Sequence, residues 1–173
     1  MVKQQYRETW NGYYNGIGYE IAYWRLGDEY VWNYYIYINI EQLPEELQDR
    51  YWLKGKWDMV HKYVEHDYTN SPIGHLDWHH GCTYYEKQHG HDGEPRIVKA
   101  GCDYNHYWDN GVCYSLDDVT NDVSHTIDSF LLRCPEYKMR CAWDGQYYSR
   151  DEGEFSEDGR FRSYKSKEES GSI

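Results

Sequence analysis

Tyr30-Val31-Trp32-Asn33-Tyr34-Tyr35-Ile36-Tyr37-Ile38-Asn39-Ile40 is the stretch whose reading decides the fold. Its even positions are Tyr30, Trp32, Tyr34, Ile36, Ile38 and Ile40, all large and apolar. Its odd positions mix tyrosines with Asn33 and Asn39. A period of two is that of a strand with one face in a core. Upstream, Ile17 to Leu26 repeats the alternation, with Ile17, Tyr19, Ile21 and Tyr23 on one side. The loop Gly27-Asp28-Glu29 then predicts a hairpin between the two strands. Asn11-Gly12 and Asn15-Gly16 are both turn dipeptides that tolerate positive φ.

Downstream, Pro44 followed by Glu45 and Glu46 predicts a helix start, because Pro fits a first turn and acids suit the helix dipole. Leu43, Leu47 and Tyr51 share a face of that helix. Met59 to Tyr68 reads as a further strand. A loop at Ser71-Pro72-Ile73-Gly74 precedes two more strands, Cys82 to Lys87 and Arg96 to Cys102, joined by the polar turn Gln88 to Gly93. The spacing Leu116, Val119, Val123, Ile127, Phe130, Leu131 predicts an amphipathic helix over Ser115–Arg133, opened by a capping box of Ser115 with Asp118. Asp144-Gly145 and Asp158-Gly159 predict two tight hairpins. The sequence therefore predicts an α+β domain over residues 1–164: a mostly antiparallel sheet, one main helix packed on it and C-terminal hairpins. Residues 165–173 read as a mobile polar tail.

Composition narrows the function. The chain has 173 residues and a net charge of -12, with 21 Tyr and 8 Trp but only 3 Phe. Aromatic rings take over the apolar area that aliphatic residues usually supply. No stretch approaches the ~20 apolar residues of a membrane span. The acidity argues against general nucleic-acid binding, which needs clustered Lys and Arg. Five cysteines, never spaced C-x-x-C, argue against a disulfide framework. With an opening segment that lacks a signal-peptide core, they point to a reducing, cytoplasmic setting.

Two segments carry candidate chemistry: Leu76 to Tyr84 and Gly101 to Asp109. His79, Thr83, Asp103, His106 and Asp109 form a ligand-binding or structural network. Asp103, His106 and Asp109 recur every three residues, which places them together on a helical turn. His79, Asp103, His106 and Asp109 offer imidazole and carboxylate donors for a divalent metal. His106 and Asp103 are the candidate catalytic groups, and Thr83 would orient a ligand. The plain alternative is a buried hydrogen-bond network. His75, His79 and His80 make a further cluster, and His89-x-His91 an exposed pair. Cys82 or Cys102 beside His106 would make a nucleophile, against the commoner reading of buried, packed thiols. Tyr107 and Trp108 are candidate partner contacts. Asp117, Asp122 and Asp128, with Asp118, give the helix an acidic face that would mimic phosphates, against the plain reading of a solvated face.

The pattern His79-x-Gly81-x-Thr83-Tyr84, then Asp103-x-x-His106-x-x-Asp109, then an amphipathic helix, resembles a family of small phage and prophage proteins. Those read H-G-G-[LI]-T-Y and F-D-C-x-H-x-x-D. The resemblance covers Leu76 to Phe130 and departs at His80, Cys82, Cys102 and Tyr104. It implies a phage accessory protein, a class that includes inhibitors of host defence such as anti-CRISPR proteins. The implied partner is a host protein or nucleoprotein effector in the bacterial cytoplasm, bound through aromatic anchors and an acidic, nucleic-acid-mimicking surface. The alternative is a metal-dependent hydrolase or nucleotide binder built on the His79/Thr83/Asp103/His106/Asp109 set. A carbohydrate-binding module would explain the aromatics but not the unpaired cysteines.

Overall fold

The computed structural model describes residues 7–26, 28–52, 72–88 and 96–171. A five-stranded antiparallel sheet runs in the order β1-β2-β3-β5-β4. The strands are β1 (Arg7–Tyr14), β2 (Ile17–Leu26), β3 (Glu29–Asn39), β4 (Tyr84–Gln88) and β5 (Ile97–Asp103). A short helix α1 (Glu45–Tyr51) follows β3, and the long helix α2 (Leu116–Arg133) follows β5. Three C-terminal pieces complete the fold: the hairpin β6 (Met139–Arg140) with β7 (Tyr147–Tyr148), the hairpin β8 (Gly153–Phe155) with β9 (Phe161–Ser163), and helix α3 (Tyr164–Gly171). The α+β class follows directly from the alternation in β3 and the stripe in α2.

The centre of the sheet is β3. Trp32, Tyr34, Ile36 and Ile38 on its even face, and Ile40 just beyond its end, are buried, and they share one core with Val119, Val123, Ile127 and Phe130 of α2. Tyr30, expected in that core, is 52% exposed, because it lies at the strand's outer end and packs on Tyr23. Tyr34 carries a hydroxyl into the core, and that hydroxyl has partners. It hydrogen-bonds Thr126 Oγ1 at 2.8 Å and accepts the backbone N–H of His79 at 3.1 Å. Ser115 caps α2 through the reciprocal bonds of the predicted capping box: its hydroxyl accepts from Asp118 N at 3.1 Å, and Asp118 accepts from Ser115 N at 2.8 Å.

Two sequence expectations are corrected at the ends of the chain. Asn11-Gly12 is not a turn; it lies inside β1, where Gly12 pairs with Tyr19 and the Tyr19 phenol crosses the space a β-carbon would fill. The turn is Asn15-Gly16 alone, with φ of +46° and +84°, as a two-residue hairpin requires. The polar stretch expected to be a mobile tail from residue 165 instead forms α3. Ser166 is buried, its N–H bonds Ser163 Oγ at 3.0 Å, and Lys167 pairs with Glu154 at 2.7 Å. The strand expected over Met59–Tyr68, most of the turn after Gln88 and the His89/His91 pair lie outside the described residues. No helix among the described residues is long and apolar enough to cross a membrane.

Candidate functional site: a His–Asp hub under an aromatic loop

Strands β4 and β5 are neighbours, so the segment entering β4 and the segment leaving β5 meet at one end of the sheet. Thr83 N–H donates to Gly101 O at 2.9 Å, which fixes their register there. Beyond β5 the chain turns at Asn105 and makes a single 3-10 turn, Tyr107–Asp109, with His106 as its cap. That turn is tighter than the helical turn expected from the three-residue spacing. It brings Asp109 inward and leaves Tyr107 and Trp108 outward: Tyr107 is 88% exposed and Trp108 54%, while Asp109 is buried.

Asp109 is the hub. One carboxylate oxygen accepts from His79 Nε2 at 2.7 Å and from the Tyr114 hydroxyl at 2.7 Å. The other accepts the His106 backbone N–H at 3.0 Å and faces His106 Nδ1 at 3.1 Å. Burial opposes the charge, but the bonds from Tyr114, His79 and His106 outweigh it and hold the carboxyl down at about 2. Tyr114 is pushed up to about 12 by burial and by the Asp109 carboxylate beside it.

His79 stands between two carboxylates. Its Nε2 faces Asp109, and its Nδ1 lies 3.5 Å from Asp122 of α2. Its ring stacks on Tyr104, with centroids 3.7 Å apart and planes 10° from parallel. The Tyr104 hydroxyl donates to the same Asp122 carboxylate. Burial and that carboxylate push the Tyr104 phenol well up, so it stays a neutral donor. His80 lies beside His79 at a ring separation of 4.4 Å, and Trp108 stacks on His106 at 5.0 Å.

The structure places the predicted residues unequally. His79, His106 and Asp109 converge. Asp103 and Thr83 form a separate pair: the Thr83 hydroxyl donates to Asp103 at 3.1 Å, and Asp103 also accepts Asn105 N–H at 3.0 Å. Asp103 stands 4.0 Å from His106 Nδ1, at the edge of ion-pair range. The proposed metal set of His79, Asp103, His106 and Asp109 is therefore corrected: the donor atoms that lie together belong to His79, His80 and Asp109. His75 sits apart, lining a shallow pocket with His125. Missed altogether were Tyr104, Tyr114 and Asp122 as partners of this network. The sequence places Asp122 only on an acidic helix surface.

The acidic helix face is largely employed within the fold. Asp122 serves Tyr104 and His79, Asp118 serves the cap, and Asp128 accepts from Tyr14 at 3.0 Å and Asn15 at 3.4 Å. Asp117 is exposed in the first turn. The cysteines are all free thiols. Burial pushes Cys82 up to about 12 and Cys102 higher still, so neither is a thiolate near neutral pH. With Cys102 buried and the Cys82 thiol donating to Tyr84 O at 3.3 Å, packing is favoured over the nucleophile reading. A cavity of about 510 Å³ opens elsewhere, among Tyr13, Tyr37, Tyr137, Arg140 and Arg160, and none of the His–Asp set lines it. No family model, curated protein or solved structure matches the chain.

Proposed function

We propose that the protein is a phage-type accessory protein that inhibits a bacterial defence system by binding a host effector, without catalysis. The effector would be a CRISPR or restriction complex in the host cytoplasm. One observation carries the binding half of this reading. Tyr107 and Trp108 are held out on a loop whose base, Asp109, is buried and bonded to His79, His106 and Tyr114. Exposed rings on a pre-ordered loop suit a binding anchor, since little backbone freedom is lost on contact. The motif resemblance supports the phage assignment. The net charge of -12 would speed approach to a basic nucleic-acid groove. With Asp122 and Asp128 bonded inside the fold, aromatic contact leads and acidic mimicry is secondary.

A hydrolase built on the same residues is disfavoured. Of the candidate catalytic pair, Asp103 accepts from the Thr83 hydroxyl and the Asn105 N–H, and His106 Nδ1 faces the Asp109 carboxylate, so both are already engaged within the fold. The test is phage plating on bacteria carrying a defined CRISPR or restriction system, with and without this protein. Restored plating that is lost in Tyr107→Ala/Trp108→Ala supports the reading. So does binding of the purified effector that weakens with salt and competes with nucleic acid. Unchanged plating and no binding across the effector panel would remove it.

A further inference from the structure

We infer that His79, His80 and Asp109 form a binding site for a first-row transition-metal ion such as Zn²⁺. One ligand atom from each of the three residues lies within 4.8 Å of the other two. Two imidazoles and a carboxylate suit Zn²⁺, Ni²⁺ or Co²⁺, not Mg²⁺ or Ca²⁺, which take oxygen donors.

The surroundings are those of a supported ligand set. Asp122 lies 3.5 Å from His79 Nδ1 and orients the ring so that Nε2 faces Asp109 Oδ1, 2.7 Å away. A carboxylate behind a histidine fixes its tautomer and raises its basicity toward a metal. Asp109 is braced from behind by Tyr114 at 2.7 Å and by the His106 N–H at 3.0 Å. The ion would take the place of the hydrogen between His79 Nε2 and Asp109 Oδ1, with the ring kept neutral by its one proton on Nδ1, toward Asp122. The two atoms must then part to roughly 3.3 Å, the spacing of neighbouring ligands with bonds near ~2.0 Å.

His80 supplies the independent observation. Its φ is +60°, a conformation that costs a residue with a β-carbon. In that conformation its ring lies 4.4 Å from His79, 5.8 Å from His106 and 4.9 Å from Trp108. In this conformation His80 brings a third donor to the cluster. The bound ion would tie the 79–80 turn to the loop carrying Trp108. Its remaining coordination position would hold water. The inference does not depend on which partner that loop meets.

The test is titration of the chelator-treated full chain with Zn²⁺ by calorimetry, with Mg²⁺ in parallel. The expected result is saturable 1:1 Zn²⁺ uptake, no Mg²⁺ uptake and a raised melting temperature with Zn²⁺. His80→Gly is the informative variant, because glycine accepts the positive φ and the metal-free fold keeps its melting temperature. It should weaken Zn²⁺ binding by at least ~100-fold, and Asp122→Asn by ~10-fold. Cys113→Ser controls for the exposed thiol and should bind as wild type. No uptake by the wild type, undiminished uptake by His80→Gly, or uptake lost in Cys113→Ser would each overturn the site.

Discussion

The imidazole of His79 lies flat on the phenol ring of Tyr104, and both groups reach the same Asp122 carboxylate. The end of the sheet is thereby tied to α2 through two rings and one acid. Asp109 completes the arrangement from the other side of His79. The aromatic loop thus rests on a network anchored in the core.

Removal of the hub should loosen that loop more than the sheet. Asp109→Ala leaves His79, His106 N–H and Tyr114 without their acceptor. Losing a buried, charge-assisted acceptor costs about 2–4 kcal/mol. Chemical denaturation should show that loss, and amide exchange at 105–110 should rise before exchange in β3. Protection at 105–110 equal to wild type would mean the loop is held by something other than Asp109.

A second test isolates one oxygen. Tyr34→Phe keeps the buried ring but removes the hydroxyl that joins β3 to Thr126 and to His79 N–H. The His79 N–H is left without its acceptor in a half-buried place. The expected cost is about 1–3 kcal/mol. Thr126 still donates to Asp77 O at 2.5 Å, so the helix side of the link survives. The measurable sign is a lowered denaturation midpoint with an unchanged denaturant slope.

The fold was legible where side chains follow a single period. The even face of β3 and the stripe of α2 each face one core, so alternation and helical spacing named their buried residues. Strand β1 was hidden because its burial depends on a partner: Gly12 reads as a turn until the Tyr19 phenol is seen lying over it. Helix α3 was hidden because its sequence is polar, and its order comes from Ser163, Glu154 and the hairpin beneath it. At the site, motif spacing named His79, His106 and Asp109. It did not reach Tyr104, Tyr114 and Asp122, which join only once α2 has packed against β3. Asp103 was misplaced because the spacing suggested a helical turn, whereas the chain stays extended to Asp103 and then turns sharply.

Acid should loosen the C-terminal hairpins through Asp144. Asp144 accepts from the Tyr148 hydroxyl at 2.7 Å and from Gln146 N–H at 2.8 Å. The Tyr148 bond is the main cause that holds its carboxyl below the ordinary value. A carboxyl depressed in the fold binds fewer protons there than when unfolded. Its contribution is therefore full above about pH 4 and is lost as pH falls through the depressed value. The neighbouring Trp143, flanked by Arg160 at 4.9 Å and Arg162 at 4.8 Å, reports the change. Its indole NMR signal should move below about pH 4 in wild type. In Asp144→Asn that component should be absent; an identical shift in the variant would assign it to another acid.

The last prediction concerns how the hairpins are fastened to the sheet. Gly16 N–H donates to Gly159 O at 2.7 Å, so the β1–β2 turn and the β8–β9 turn lock together. Gly159 has φ of +82°, and a β-carbon there would run into the Tyr13 carbonyl. Gly159→Ala meets both penalties at once: an unfavourable backbone conformation and a clash with main chain that has no rotamer to escape into. Either penalty alone costs about 1 kcal/mol or more. Gly145, at φ of +73°, has only the far end of Arg140 near its β-carbon position. Gly145→Ala should therefore pay the conformational cost without the clash. Thermal melts should rank Gly159→Ala below Gly145→Ala, and only the former should expose the amide of Gly16 to exchange. Equal melting temperatures with Gly16 still protected would show that the two turns are not fastened through Gly159.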